Sequence, residues 1–233
     1  MKRSVFFLFI LTVLSSCHFT TGSGNIISET RVTGNFTGIS AAGGFNVEVK
    51  TGPVTEVIVE SDDNIIKYIE TEVSGNILKI RLRDHINVSN AHLKVYVTAS
   101  GISNIAASAG SDVVVKDVLK SENTLHFTAS SAGTIISEIE APEVEAGASS
   151  GAKLQLTGKT RNFTAIASSG ANIKTRDLFS ENTVVSASSG SNIYVHASVS
   201  LQAKASSGAD IKYHGAANVQ KTVSSGGSVE KKD

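Results

Sequence analysis

The chain has 233 residues, a formal net charge of zero, one cysteine and no tryptophan. The balanced charge excludes the broad basic surface of a nucleic-acid-binding protein, and the single cysteine excludes a disulfide scaffold or a multi-cysteine metal cluster. The length fits one large all-β domain or two small domains, and a hydrophobic fraction of 40% is enough for a core.

Residues 1–16 have the pattern of a lipoprotein signal peptide. A short basic start precedes the apolar run SVFFLFILTVL, which is too short to span a bilayer. Leu14-Ser15-Ser16-Cys17 follows and resembles the bacterial lipobox, in which the cysteine receives the lipid. We therefore expect Cys17 to be the lipidation site and its acyl chains to hold the protein on a membrane. The alternative is an ordinary secretory signal with an incidental cysteine.

The residues after Cys17 predict where the anchor places the protein. His18 rather than aspartate follows the cysteine, so the common inner-membrane retention signal is missing and the outer membrane is favoured. No acidic run follows, which favours the periplasmic side of that membrane over the cell surface. Residues 17–25 are small and polar and are predicted to form a tether.

The N-terminal β-rich region, residues 26–104, alternates apolar and polar side chains with a period of two. This is the pattern of half-buried strands, and turn residues separate its segments. The predicted strands span residues 45–50, 57–60, 77–83 and 93–98. Residues 63–70 have the only helical pattern in this region, and a single helical turn or a loop suits their short length equally well.

Residues 105–229 contain a Ser-Ser-Gly-like repeat. Its glycines lie 18 to 23 residues apart, at Gly110, Gly133, Gly151, Gly170, Gly190, Gly208 and Gly226. A period near 19 residues without helices predicts a stacked β-solenoid. Each coil would hold three short strands and three bends, and the charged tail 230–233 follows the last coil.

Period-two counting around each glycine predicts which side chains face the interior. Positions −3, −1, +1 and +3 share one side, so Ser169 and Ser189 are expected in an inner serine column. Position +2 gives an outer column, in which Asn172, Asn192 and Asp210 are candidates for a ligand-facing strip. The competing interpretation is that Asn and Asp simply suit solenoid bends.

The order of these motifs resembles the auto-transporter adhesin, head GIN domain family of Bacteroidetes lipoproteins. The resemblance rests on GSGN at 22–25, GFNV at 44–47, GNILKI at 75–80 and the Ser-Gly repeats, and it covers about residues 22–229. It implies a right-handed parallel β-helix on the cell envelope, and it brings no catalytic residues. We therefore expect an all-β solenoid with the N-terminal β-rich region stacked on it.

The residue pattern offers no recognisable catalytic or metal site. The histidines lack metal-ligand spacing, and neither a nucleophile elbow nor a phosphate loop is present. The acidic residues bunch only at Glu138, Glu140, Glu143 and Glu145. We interpret this bunch as a solvated outer face rather than the calcium site of a pectate-lyase-type β-helix.

These observations predict a non-enzymatic envelope lipoprotein that serves as an adhesin-like, binding or scaffold module without a cofactor. The alternative is a carbohydrate-binding or polysaccharide-cleaving β-helix. The expected partners are the membrane, through the lipid anchor, and a glycan or protein ligand. The C-terminal edge of the solenoid is a further candidate for self-association, because only a short charged tail follows it.

Overall fold

The alternating segments of the sequence form β-strands throughout residues 19–232, the part of the chain that this computed structural model describes. The N-terminal strands β1 to β9 span Phe19–Thr21, Ile26–Arg31, Gly38–Ala42, Asn46–Thr51, Glu56–Asp62, Ile69–Ser74, Ile77–Leu82, Asn87–Ser89 and Leu93–Ala99. The four strands predicted in this region correspond to β4, β5, β7 and β9. The predicted helical stretch contains a 3₁₀ turn, Ile66–Tyr68, which leads directly into β6.

The repeat region continues with twelve strands. Strands β10 to β21 span Asn104–Ser108, Asp112–Lys120, Leu125–Ala129, Thr134–Ala148, Lys153–Ala167, Asn172–Thr175, Leu178–Ala187, Asn192–His196, Ser200–Ala205, Asp210–His214, Asn218–Val223 and Ser228–Lys231. In residues 19–232 no helix is long and apolar enough to cross a membrane.

Parallel pairing stacks these strands into a β-solenoid of about six coils, as predicted. The first sheet runs β7–β3–β10–β12–β13–β14–β16–β18–β20, and the second runs β9–β4–β11–β13–β14–β15–β17–β19–β21. Strands β13 and β14 bend and contribute to both sheets. A third, shorter strip joins the sheets in the middle coils and consists of residues 118–120, 138–140, 158–160 and 178–180.

The N-terminal half supplies both the first coil and its cover. Strands β3 and β4 pair in parallel with β10 and β11, so the stack crosses the boundary expected at residue 104. Antiparallel strands then extend both sheets outward, because β5 pairs with β9, β2 with β5, and β6 with β7. Ile65, Ile66 and Ile69 are buried in the core cluster beside these strands.

The interior is filled by columns of side chains that repeat from coil to coil. One column is aliphatic and fully buried, and consists of Val113, Ile135, Leu154, Ile173, Ile193 and Ile211. A facing column near the end of each first-sheet strand consists of Ala129, Ala148, Ala167, Ala187 and Ala205. Each buried Leu or Ile contributes roughly 1.5–3 kcal/mol, so the stack of similar coils is stabilised mainly by these columns.

The Ser-Ser-Gly repeats form tight turns at the edge between the sheets. In each turn the two central residues have positive φ, as in Ser169 (51°) and Gly170 (71°), and the N–H of the residue after them donates to the carbonyl of the serine before them. Positive φ at both central residues is the pattern of a type I′ turn. The turns span residues 108–111, 130–133, 149–152, 168–171, 188–191, 206–209 and 224–227.

This geometry corrects the expected inner serine column. Ser169 and Ser189 are exposed at the turns, because the two left-handed residues interrupt the period-two alternation. The interior positions on either side of Ser169 are Ala167 and Ala171, both buried. Successive turns are joined instead by backbone hydrogen bonds, such as the Gly170 N–H to the Ser189 carbonyl at 3.0 Å.

The turn at 130–133 is offset from the others by one residue. Ala132, with φ of 61°, occupies the position that glycine takes elsewhere, and Gly133 occupies the following position. An added Cβ at Gly133 would lie 2.4 Å from the Ala107 carbonyl oxygen, so a close approach of the backbone explains this glycine. Thr134 consequently continues the outer column, and Ile135 lies in the core.

The C-terminal coil carries two lysines in columns that are otherwise interior. Lys221 is in register with the buried Ala203, and Lys231 is in register with Tyr213. Charged side chains at inward positions of an edge strand oppose pairing with another chain. Self-association through this edge stays a prediction, and these two lysines act against it.

Candidate functional site

A groove runs along the corner where the third strip meets the first sheet. It consists of two adjoining cavities of about 770 and 990 Å³ that share Ser121, Glu122, Pro142 and Arg161. The alternation of buried residues shifts here, from odd positions up to Ala141 to even positions from Val144. Pro142 lies at this shift, where it has no N–H to donate and the chain bends. We call this feature the corner groove.

One wall of the corner groove is a column of charged and aromatic side chains from the third strip. Lys120, Glu140, Lys159 and Phe179 follow one another in register. The Glu140 carboxylate lies 2.9 Å from the Lys159 ammonium and 3.2 Å from the Lys120 ammonium. These two contacts hold the pKa of Glu140 below its ordinary value. Glu140 is therefore ionised, and its carboxylate is paired with the two lysines.

An exposed aromatic ring continues this wall. The Phe179 side chain is 58% exposed, and its ring meets the His196 ring edge to face at 4.9 Å between centroids. Next to Phe179 in the chain, the buried Ser180 hydroxyl bonds to the Thr183 hydroxyl at 2.6 Å, and Ser180 also donates to the His196 carbonyl. The Phe179 ring thus contacts His196 while more than half of the residue remains exposed to solvent.

The floor of the groove contains an unpaired cation. Arg161 lines both cavities and is exposed, and within residues 19–232 no carboxylate lies within ion-pair distance of its guanidinium. A guanidinium presents five N–H donors in a fixed plane, which suits carboxylate, phosphate and hydroxyl acceptors.

A ladder of polar side chains on the first sheet begins at the groove with Asn162 and continues beyond it along the sheet. Asn162, Asn182 and Ser200 are in register on β14, β16 and β18. The Asn182 amide donates to the Asn162 side-chain oxygen at 3.2 Å, and the Ser200 hydroxyl donates to Asn182 at 2.9 Å. One coil earlier, Thr124 donates to Glu143 at 3.1 Å. The ladder thus places hydroxyl, carboxylate and amide groups on successive coils.

The outer column predicted from the sequence lies elsewhere, on the second sheet. Asn172, Asn192 and Asp210 are in register on β15, β17 and β19 and are half-exposed. The hydroxyl of Ser228, on the next strand, donates to Asp210 at 2.5 Å. These residues are brought together as the sequence predicts, and their role as a ligand-facing strip stays a prediction. Cys17 lies outside the described residues.

Two of the four acidic residues in the bunch contact basic side chains. Glu145 lies 3.1 Å from the His126 ring nitrogen, and Glu140 is held by its two lysines. Across residues 19–232, no group of three or more His, Cys, Asp and Glu side chains is placed to hold a metal ion.

Sequence reasoning missed Arg161 and Phe179 as site residues. Both follow from the position of Pro142 once strand register is known, because Arg161 stands next to it on β14 and Phe179 is in register with Lys159. The signal that could have found them is the number of residues that each coil has before and after the bend at Pro142.

Comparisons with known proteins agree with this architecture. One solved structure, titled "Putative lipid binding protein" from Parabacteroides distasonis, superimposes with a TM-score of 0.79 at 17% identity, covering 93% of this chain and 100% of the other. A "putative adhesin" from Bacteroides fragilis gives a TM-score of 0.83 at 19% identity, covering 91% and 98%. Another from Parabacteroides merdae gives 0.73 at 13%, covering 92% and 99%. These similarities concern the fold.

A search of curated proteins found no match. The family model "Putative auto-transporter adhesin, head GIN domain" matches residues 35–217, which include the first coil, the corner groove and strands β3 to β19. The motif order and the stacked coils point the same way, and the chain belongs to the auto-transporter adhesin, head GIN domain family.

Proposed function

We propose that this protein is a non-enzymatic binding module of the bacterial cell envelope, held by a lipid on Cys17 to the periplasmic side of the outer membrane. Its ligand binds along the corner groove. The observation that carries this proposal is the pairing of an open aromatic ring, Phe179, with an unpaired guanidinium, Arg161, in one continuous groove.

The electrostatics of the groove favour binding over catalysis. Glycoside cleavage needs two carboxyl groups that face the same bond, with one kept protonated. Glu140 is ionised and enclosed by Lys120 and Lys159, so it is a poor proton donor. The groove is also lined by carboxylates such as Glu122 and Glu181 and by the His126 and His196 rings, beside amides and hydroxyls that recognise polar atoms without transferring protons.

The ligand class that the groove fits best is a glycan chain. The open Phe179 ring offers an apolar face for a sugar ring, while Arg161 and the Asn162–Asn182–Ser200 ladder offer donors and acceptors to hydroxyl and carboxyl groups. Because the ladder repeats at each coil, about 4.8 Å apart, an extended polymer can contact several coils at once. Solenoids commonly bind ligands along such extended surfaces.

A glycan array read with and without calcium tests this assignment. Phe179→Ala and Arg161→Ala should each weaken retention at least about tenfold, equivalent to about 1.4 kcal/mol. Ile166→Ala and Lys204→Ala are matched controls, since both side chains are exposed on the first sheet outside the groove, and should change little. Equal retention by all four variants would refute the site, and release of shortened glycan would refute a non-enzymatic role.

The anchor has an independent test. Metabolic labelling with a fatty-acid probe should mark the wild-type protein in cells, and Cys17→Ala should abolish the label and release the protein from the membrane fraction. Equal labelling of both proteins would contradict lipidation at Cys17.

A further inference from the structure

We propose that the N-terminal end of the solenoid rests directly on the bilayer, with the Phe19 side chain in the membrane interface. This inference rests on the proposed lipid at Cys17. Its structural basis is that the chain is fixed to the body only two residues after that cysteine, which leaves no length for a tether.

The first fixed contact is a strand. Residues 19–21 form β1, which pairs in parallel with β8, so that Phe19 is in register with Asn87. The Thr21 and Ser89 hydroxyls lie 3.1 Å apart, and the Gly22 N–H donates to the Ser89 carbonyl at 3.1 Å. Strand β8 lies on the connection between β7 and β9, the outermost parallel strands of the stack.

The second contact is a clasp formed by residues 22–25 and 62–64. The buried Asp62 carboxylate accepts the Gly24 N–H and the His92 N–H, each at 2.7 Å. Ser23 and Asn25 donate to Asp63 at 2.6 and 2.8 Å. The part of the predicted tether that the structure describes is thus docked against the body.

Glycine is required where the clasp is tightest. A Cβ added at Gly22 would lie 2.5 Å from the Asn90 carbonyl oxygen and 2.7 Å from the Asp62 carboxylate. Such close approach lets the segment reach the partners that hold it by hydrogen bonds. Because the clasp holds this segment against the body, the position of the anchor also fixes the position of the whole domain.

Chain length then sets the distance to the membrane. Two residues span at most about 7 Å even when fully extended, so the Phe19 Cα lies within that distance of the Cys17 Cα. Acyl chains on Cys17 would be buried in the bilayer, and interfacial groups lie within roughly 5–10 Å of the boundary between headgroups and acyl chains. Phe19 is therefore confined to the interface.

The surface beside Phe19 has the chemistry of a membrane interface. The Phe19 side chain is 62% exposed although it belongs to a strand. Arg83 lines one cavity together with Asn87, the register partner of Phe19. The Arg83 N–H donates to the Tyr68 carbonyl at 2.8 Å, and the Lys67 ammonium lies over the Tyr68 ring at 5.1 Å. Exposed aromatic and basic side chains together favour a headgroup layer that contains anionic lipids.

Acidic groups at this end are mostly engaged by arginine. Arg81 contacts Glu70 at 2.8 Å and Asp84 at 2.8 Å, and Arg83 lies 3.5 Å from Glu70. Lys67 has no carboxylate partner within residues 19–232. Arginine therefore neutralises Glu70 and Asp84, while Asp62 and Asp63 in the clasp accept hydrogen bonds from backbone N–H, hydroxyl and amide groups.

The absence of tryptophan from the chain gives a clean probe. Phe19→Trp and Phe179→Trp, each in the full lipidated protein, are incorporated into vesicles of phosphatidylethanolamine and phosphatidylglycerol that carry brominated acyl chains. Both sites are exposed to a similar degree, and six strand spacings of about 4.8 Å separate their levels along the first sheet, or about 29 Å.

The proposal predicts that the tryptophan at position 19 shifts its emission to shorter wavelength and is quenched by the brominated lipid, while that at position 179 is not. Fatty-acid labelling is measured on the same preparations. A labelled protein in which neither tryptophan is quenched would overturn membrane contact while leaving the anchor intact. An unlabelled protein would overturn the anchor, and this inference with it.

Discussion

The turns test whether a left-handed backbone conformation is what favours glycine in the Ser-Ser-Gly repeat, because one turn lacks glycine at that position. Ala132 has φ of 61° where the other turns have glycine. A left-handed conformation costs a non-glycine residue roughly 1–2 kcal/mol. Replacing alanine by glycine also frees the unfolded chain, which costs roughly 0.4–1 kcal/mol. The balance predicts that Ala132→Gly stabilises the protein by about 0.5–1 kcal/mol.

The reverse change should have the opposite sign by a similar amount. At Gly170 an added Cβ meets nothing within 4 Å, so Gly170→Ala carries only the conformational cost and should destabilise by about 0.5–1 kcal/mol. Urea unfolding at constant m-value reports both changes as shifts of the midpoint.

Ala106→Gly is the matched control for the alanine replacement. Ala106 lies in β10 with ordinary strand backbone, so glycine there should destabilise by roughly 0.5–1 kcal/mol. The same chemical change is thus expected to stabilise at one site and destabilise at the other. If Ala132→Gly and Ala106→Gly both lower the midpoint, backbone φ is not what selects glycine in these turns.

Three further predictions address the core, the clasp and the free end. Ala171→Leu should cost roughly 1–3 kcal/mol of stability by overpacking the interior. Ser169→Leu, at an exposed position, should cost much less. Urea midpoints in the reverse order would contradict an inward Ala171 and an outward Ser169. Hydrogen bonds from the backbone N–H groups of His92 and Gly24 lower the pKa of Asp62. The stability that the Asp62 carboxylate adds is therefore present above the unfolded pKa of about 3.9 and is lost as pH falls through the lower folded pKa. Amide exchange at Gly24 should accelerate in that acidic range. Lys221→Val combined with Lys231→Val should produce concentration-dependent association in light scattering, and no change would mean that the lysines do not guard the edge.

The sequence predicted the solenoid because its signals are local. Alternation marks strands such as β4 and β9, and a repeat near 19 residues requires stacked coils. The aliphatic residues three positions after the glycine in three successive repeats, Ile173, Ile193 and Ile211, were expected inside and are buried.

The facing of the serines was wrong for a physical reason. Period-two counting assumes extended backbone, and two left-handed residues in succession reverse the chain direction instead of continuing the alternation. Ser169 therefore points outward even though Ala167 and Ala171 point inward. Glycine in the repeat marked the turn, but only the φ of the preceding serine shows that both residues belong to it.

The corner groove was beyond the reach of sequence reasoning because it depends on register between distant residues. Phe179 and Lys159 are 20 positions apart and become neighbours only through the pairing of β14 with β16. Arg161 is one of many polar residues in the sequence, and its lack of an ion pair is a property of the packed strands. The local sequence pattern predicts the shape of each coil. The site depends on which different side chains successive coils place next to one another.

The two ends of the stack differ in ways that give the domain a direction. The N-terminal end is covered by antiparallel strands and carries the clasp next to the proposed anchor, while the C-terminal end is open to solvent and has lysines in its interior columns. A domain held at its first coil directs its remaining coils away from that attachment. The corner groove extends from Thr37 in the first coil to His196 on β17, so its Phe179 end lies on the part of the solenoid farther from the bilayer. Ligand binding at Phe179 and anchoring would therefore use separate coils, and a change at Phe179 should leave membrane attachment unaltered.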